Sequence, residues 1–274
     1  MAEGDGYRKP AVAGTGAIAV GLASAMSAIG EVVVLARSDS SAERAQELAD
    51  RVCGKLTEAD VGRVSVTTEI AELGGCDVIV EAIVEDADAK VALHAALAEA
   101  CPGADLATTT SSLGIAELAR RAGATGRLYG LHVFNPVPKM ELVELCLPEE
   151  LGAGVADRAR GFCAALGKTA IEVPDLTGFV VNRLLFPYLF SAVRLLAESG
   201  MSAEEVDRCM TLGAGHPMGP LGLIDFVGVD VAVAIGRSLA AETGESLHEP
   251  PLLLVEMESE GRLGRKSGQG FFSY

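Results

Sequence analysis

The stretch Gly14-Thr15-Gly16-Ala17-Ile18-Ala19-Val20-Gly21 constrains this chain more than any other. A short apolar run, Lys9 to Ala13, leads into it, and a small-residue segment reaching about Ile29 follows. Val32-Val33-Val34-Leu35 then reads as a fully apolar strand of parallel-sheet type. Strand, tight turn, helix and strand at this spacing make a βαβ unit, and G-x-G-x-x-A at its turn is the pattern of a dinucleotide site. Gly14 makes the turn, Gly16 lets a pyrophosphate approach the backbone, and Ala19 is small enough for the helix to pack on the strand. The helix N-terminus supplies amide donors. A strand–helix turn with no ligand is the competing reading, and the correctly spaced flanking strands weigh against it.

In such a unit an acidic residue at the tip of the second strand binds the adenosine ribose hydroxyls. Here the tip reads Leu35-Ala36-Arg37-Ser38 and carries no acid. Arg37 and Ser38 suit a ribose 2′-phosphate, so NADP is expected over NAD, with NAD as the alternative. Asp39 falls past the strand and is the alternative ribose ligand.

The rest of the first half keeps alternating. A helix is expected over 40–54, strands at 64–67, 78–83 and 106–109, and a helix over 90–100. Thr110-Ser111-Ser112-Leu113 reads as the start of a further helix, with Ser111 as a cap and a candidate site residue. Glu85 and Lys90 follow the fourth strand, at the sheet edge where such folds bind ligands. A last strand is expected at 170–173, and from Asp175 onward the pattern is helical only, with helices at 179–199, 203–212, 220–227, 229–243 and 251–261. The expected architecture is an α/β Rossmann-like N-terminal domain, 1–175, plus an all-α C-terminal domain, 176–274, for substrate binding and dimerisation. A long buried helix in a small helical domain finds its remaining burial in a partner subunit, which predicts a homodimer.

Composition narrows the function. A net charge of −16 leaves no clustered Lys and Arg for phosphate backbones, which argues against a nucleic-acid partner. Pro10 to Gly30 has no charged side chain, but it is built from Gly, Ala and Ser, which insert poorly, so no membrane span is expected. Cys53, Cys76, Cys101, Cys146, Cys163 and Cys209 show neither a CxxC pair nor a zinc-like spacing. They read as reduced thiols in a cytoplasmic protein without a metal site.

The stretch 130–146 carries the candidate chemistry. Two apolar runs, each with one polar residue, flank a Pro136-Val137-Pro138 corner that ends the first strand. If Met140 to Cys146 returns beside the first strand, Glu144 can bond one ring nitrogen of His132. That fixes the tautomer and leaves the other nitrogen to act as a base. A histidine satisfied within an apolar core is the plainer reading.

With these residues in view, the chain resembles the L-3-hydroxyacyl-CoA dehydrogenase family, including bacterial 3-hydroxybutyryl-CoA dehydrogenases. The resemblance rests on His132-Val133-Phe134-Asn135-Pro136-Val137-Pro138 with Leu142-Val143-Glu144, and on Gly178-Phe179-Val180-Val181-Asn182-Arg183. Leu212-Gly213-Ala214-Gly215-His216-Pro217-Met218-Gly219-Pro220 and Gly264-Arg265-Lys266-Ser267-Gly268-Gln269-Gly270-Phe271 complete it. It implies that His132 is the general base for the 3-hydroxyl proton, oriented by Glu144. It also implies that Ser111 lies beside the reacting oxygen and that Asn182 holds the thioester. Gly14, Gly16, Glu85, Lys90, Ser111, Asn135 and Lys266 are implied at the cofactor. Arg37 stands where the family usually has Asp, Ala19 where it has a third Gly, and Thr109 where it has Asn. The segment 38–63 is shorter than usual; relatives often carry a helical hairpin there that reaches the coenzyme A nucleotide. An acyl-carrier-protein thioester is therefore a rival to acyl-CoA, a free hydroxy acid a second rival, and a non-catalytic dinucleotide-binding protein the rival of another class.

Overall fold

The computed structural model describes residues 6–274. The chain divides into two compact units, one ending at Leu176 and one spanning Thr177–Tyr274. In the first, β1 (Pro10–Ala13), α1 (Ala17–Met26), β2 (Val32–Leu35), α2 (Asp39–Cys53) and β3 (Val64–Thr67) form one side of a sheet. The other side is built from β4 (Val78–Glu81), α3 (Ala87–Ala100), β5 (Asp105–Thr108), α4 (Ile115–Arg121) and β6 (Leu128–Val133). β7 (Leu142–Cys146), α5 (Val155–Ala165) and β8 (Thr169–Val173) close the unit. The strand order is β3-β2-β1-β4-β5-β6-β7-β8. β1 to β6 are parallel, β7 runs antiparallel to β6, and β8 is parallel to β7.

This is the doubly wound order, and its reversal between β1 and β4 opens a crevice at the strand C-termini. Buried side chains gather on both faces of the sheet. Val12, Val20, Ala45 and Phe162 belong to one cluster, and Ala11, Ile79, Leu97 and Leu118 to the other. The alternation of the β1 and β4 residues between the two clusters explains why those strands read as continuous apolar runs: helices cover both sides. The predicted α/β class is the observed one.

The second unit is helical: α6 (Val181–Ser199), α7 (Ala203–Gly213), α8 (Pro220–Val227), α9 (Val229–Thr243) and α10 (Leu252–Ser259). Leu189, Phe190, Leu221, Ile224, Val233 and Leu254 lie in its core. Two carboxylates take over backbone donors. Asp207 of α7 accepts from the amides of Leu221 and Gly222, both at 2.8 Å, and so caps α8. The buried Asp225 of α8 accepts from the amides of Phe271 and Phe272, both at 2.9 Å, and ties down the C-terminal segment.

Three local expectations shift. The helix expected from Phe179 starts at Val181, because Gly178 (φ 77°) and Phe179 (φ 44°) are left-handed. The strand expected from Met140 starts at Leu142, because the amides of Lys139 and Met140 both turn back to the carbonyl of Pro136. The helix expected from Thr110 starts at Ile115. Its first amides, those of Ile115 and Ala116, are held by Asp175 at 2.8 Å each, while residues 110–112 are held as a turn by Glu85.

Candidate active site

The turn after β1 is built for close approach. Gly14 has φ 140°, and a Cβ there would sit 2.3 Å from the carbonyl oxygen of Ala82, so only glycine fits. Gly16 is the N-cap of α1 and offers no side-chain cap, which leaves the first-turn amides available to a ligand. Ala19 is fully buried, and the Cβ built on Gly14 would meet its Cβ at 3.4 Å. Its part is helix–strand packing, as its size predicts.

Around this turn lies a cleft of about 970 Å³, lined by Gly14, Thr15 and Gly16 at its base. Leu35, Ala36, Arg37 and Arg44 form one wall, and Ile83, Glu85, Thr109 and Asn135 contribute to the other. The shape and chemistry fit a dinucleotide: backbone donors for a diphosphate, apolar walls for a base, and polar side chains at the far wall. Arg37 and Arg44 are both exposed. Ser38 serves differently from the expectation. It is the N-cap of α2, in a capping box with Ser41, with its hydroxyl already engaged. Asp39 occupies the first turn of the same helix.

β6 and β7 bring His132 and Glu144 directly opposite each other in the antiparallel ladder. His132 Nδ1 lies 2.7 Å from Glu144 Oε2. Both are buried, at 6% and 1% exposure, and the imidazole stands 4.7 Å from the Phe134 ring, centroid to centroid. A short ring–carboxylate bond out of water fixes both tautomer and orientation. The period-two pattern of the two strands places this pair as the sequence predicts.

Glu85 organises the turn that bears Ser111. Its Oε1 accepts from Thr110 Oγ1 at 2.6 Å, Ser111 N at 2.9 Å, Ser112 N at 3.1 Å and Ser112 Oγ at 2.8 Å. Burial works against the charged carboxylate, but Lys90 and then these hydroxyl and amide donors outweigh it and hold the Glu85 carboxyl below its ordinary range.

Lys90, expected at the cofactor, is buried and is not among the residues that line the cleft. It has no accessible surface and lies behind the cleft wall. Its Nζ is 2.6 Å from Glu81 Oε1 and 3.4 Å from Glu85 Oε2. The reason is its helical position: Lys90, His94 and Leu97 form the inward face of α3, directed at the end of β4. Glu81 also accepts from Thr108 Oγ1 and from the Ile83 amide, both at 2.7 Å, and His94 Nε2 is 3.4 Å away. Burial opposes the Glu81 charge, yet His94, Lys90 and Thr108 together pull its carboxyl down to about 2. Sequence reading passed over this cluster. Its signal was an acid ending the apolar run Val78-Ile79-Val80-Glu81, with a Lys and a His four residues apart on the following helix.

In the second unit Asn182 is buried near the start of α6 at 8% exposure. Lys266 is exposed and pairs with Asp230. Among the described residues there is no metal-binding group of His, Cys, Asp and Glu, and no helix is long and apolar enough to cross a membrane.

A helix N-terminus set to receive a diphosphate, on the same unit as a base held by a carboxylate, is the layout of a nicotinamide-dependent dehydrogenase. Comparison with known proteins makes the class specific. Residues 9–176 match the 3-hydroxyacyl-CoA dehydrogenase NAD binding domain, and residues 178–274 match the C-terminal domain. A 3-hydroxybutyryl-CoA dehydrogenase of Mycobacterium tuberculosis is 36% identical, covering 98% of this chain and 99% of its own. The crystal structure of M. tuberculosis FadB2 superposes with a TM-score of 0.94 at 35% identity, covering 98% of this chain and 100% of its own. The (S)-3-hydroxybutyryl-CoA dehydrogenase of Ralstonia eutropha gives a TM-score of 0.88 at 34% identity, over 98% and 99% of the two chains. The chain belongs to the 3-hydroxyacyl-CoA dehydrogenase family, oxidoreductases that interconvert 3-hydroxyacyl and 3-oxoacyl thioesters with a nicotinamide cofactor.

Proposed function

We propose that this protein is an NADP-preferring dehydrogenase of short 3-hydroxyacyl thioesters, acting on 3-hydroxybutyryl-CoA or a close analogue. The observation that carries the chemistry is the buried 2.7 Å bond between His132 and Glu144, with His132 three residues before Asn135, which lines the dinucleotide cleft. Gly14, Gly16 and the first amides of α1 would hold the diphosphate, with Glu85, Ser111 and Asn135 toward the nicotinamide. A bound nicotinamide supplies the acceptor for the hydride leaving C3. His132 takes the 3-hydroxyl proton at Nε2, the nitrogen opposite its bond to Glu144, and returns it to the developing alkoxide in reduction. Glu144 keeps the ring in the required tautomer and stabilises the imidazolium that forms. Ser111 donates to the reacting oxygen and Asn182 holds the thioester; both roles are carried over from the matched motifs.

The NADP preference departs from the NAD binding description of the matched domain. What supports it is the absence of an acid at the tip of β2, with Arg37 and Arg44 exposed on the same cleft wall. Ser38 is left out of the phosphate site because its hydroxyl caps α2. Lys266 remains assigned to the cofactor by motif alone. Cytoplasmic placement rests on six free cysteines, four of them buried.

One observation favours a second reading of the thioester carrier. Between β2 and β3 the chain forms the single helix α2 and a short connection that carries one three-residue helical turn. An acyl group on a carrier protein would not need the coenzyme A contacts that a longer segment is expected to supply. The test is spectrophotometric: acetoacetyl-CoA with NADPH and with NADH, then the same acyl group on a carrier protein. Oxidation of NADPH by acetoacetyl-CoA is expected; no oxidation with any thioester would overturn the reading.

A further inference from the structure

Between α5 and β8 the chain makes one defined turn. Gly167 is left-handed (φ 67°); its amide donates to the Ala164 carbonyl at 3.0 Å and the Lys168 amide to that of Cys163 at 2.9 Å. These are the two bonds of a Schellman turn, which closes α5. Ala159, Phe162 and Cys163 fix α5 in the core, and the Thr169 amide then donates to Glu141 at 2.8 Å as β8 joins β7. Lys168 is thus delivered on a rigid frame beside the loop that links β6 to β7. Its half-buried side chain reaches that loop. Nζ donates to the carbonyl of Val137 at 2.6 Å and to that of Met140 at 2.7 Å. Among the described hydrogen bonds no other donor reaches either carbonyl.

An ammonium kept partly out of water normally finds a carboxylate. Lys168 takes part in none of the described ion pairs; burial, only partly offset by the Glu141 charge, holds its pKa below the ordinary range. Its two bonds to carbonyls are charge-assisted, and they grip the turn more firmly than neutral donors would. The turn is held from its other side as well. Val137 is buried, and a Cβ built on Gly21 of α1 would come within 3.0 Å of the Val137 Cβ and 3.6 Å of Pro138 Cδ. The absent side chain at Gly21 is what lets the loop seat on the helix. The amides of Lys139 and Met140, both bonded to the Pro136 carbonyl, complete the turn. Asn135, two residues before Val137, lines the dinucleotide cleft.

We propose that Lys168 is a positioning residue: its ammonium clamps the 137–140 turn against α1 and so holds Asn135 at the cleft, on the frame that carries His132 and Glu144. The proposal rests on the dehydrogenase reading for its effect on turnover, but not for its effect on the turn.

The test is a cycle of Lys168→Met, Asn135→Ala and the double variant, made in the full chain. Amide exchange at Lys139 and Met140, measured on the protein alone, is expected to rise by about tenfold or more in Lys168→Met, as the turn opens more easily. Exchange at Leu166 and Gly167, on the α5 side, is expected to stay within about twofold. With acetoacetyl-CoA, kcat is expected to fall roughly tenfold or more, the scale of a displaced group at the reacting centre. Kd for NADPH is expected to change by less than about threefold. Adding Asn135→Ala to Lys168→Met is expected to cost less than about twofold more in kcat, because both act through one group. Unchanged exchange at Lys139 and Met140 would overturn the proposal. So would a rise of equal size at Leu166 and Gly167, which would mark a general loss of stability. Multiplicative losses in the cycle, or a rise in Kd with kcat unchanged, would equally refute it. If Lys168→Met does not fold, Lys168→Gln removes the charge and shortens the reach while keeping a polar head at this half-buried site. The same pattern is then expected at smaller size, and unchanged turn exchange would refute the clamp. A wild-type protein that turned over no thioester would sink the reaction assignment, while the exchange arm would still decide the clamp.

Discussion

His132 and Glu144 were legible because strand periodicity is simple: two apolar runs around a Pro-x-Pro corner can pair in few registers, and the observed one sets these residues opposite each other. Lys90 was not legible at the same level. A motif carries residue identity, and depth behind a wall depends on which face of α3 turns inward. Ser38 fell between the two, since a serine at the start of a helix serves its own backbone first. On the proposed NADP preference, cofactor choice turns on Arg37. Replacing Arg37 by Asp is expected to lower the ratio of kcat/KM for NADPH over NADH by roughly tenfold or more, because under that proposal it would remove a charge-assisted hydrogen bond to the 2′-phosphate and put a like charge in its place. Arg44→Ala is expected to move the ratio in the same direction by a smaller factor. Steady-state kinetics with both cofactors decides it, and a ratio that neither substitution moves would remove the guanidinium wall from specificity.

At the scale of elements, the βαβ unit and the alternation of strand and helix were readable in order and type, with ends displaced by a few residues (α3 starts at Ala87 and α1 ends at Met26), because glycine turns and apolar runs are local signals. What sequence could not show were carboxylates that act at a distance in the chain. Asp175 starts α4, Asp207 starts α8, and Asp225 holds the C-terminal segment. The β4–α3 junction gives a pH prediction. Glu81 has a folded carboxyl near 2 against an ordinary 4.5, so its contribution is complete above about pH 4.5 and is lost as the pH falls toward 2. Urea unfolding followed across that window is expected to show a shallower loss of stability in Glu81→Gln than in the wild type. Equal slopes would mean the cluster is not what acid titrates. The C-terminal segment gives another. Gly264 has φ 87° and a Cβ there would lie 2.3 Å from the Asp225 carbonyl oxygen, so Gly264→Ala is expected to cost about 2–4 kcal/mol in denaturant unfolding. A cost below about 0.5 kcal/mol would show that the segment relaxes freely.

At the scale of the whole molecule, the second unit exposes the large apolar side chains of Leu184 (71%), Leu212 (77%) and Leu252 (71%). We expect a homodimer formed through this unit. Light scattering on the purified protein should give twice the 28.2 kDa chain mass, and a monomer at micromolar concentration would contradict it. The central claim is narrower than assembly: one buried imidazole, held by one carboxylate, moves the proton in a thioester dehydrogenase. It is tested most directly by turnover of acetoacetyl-CoA in the wild type and in His132→Gln, with NADPH binding measured on both. The account predicts a fall in kcat of roughly 100-fold or more with cofactor affinity retained. A variant that turns over at the wild-type rate would contradict it.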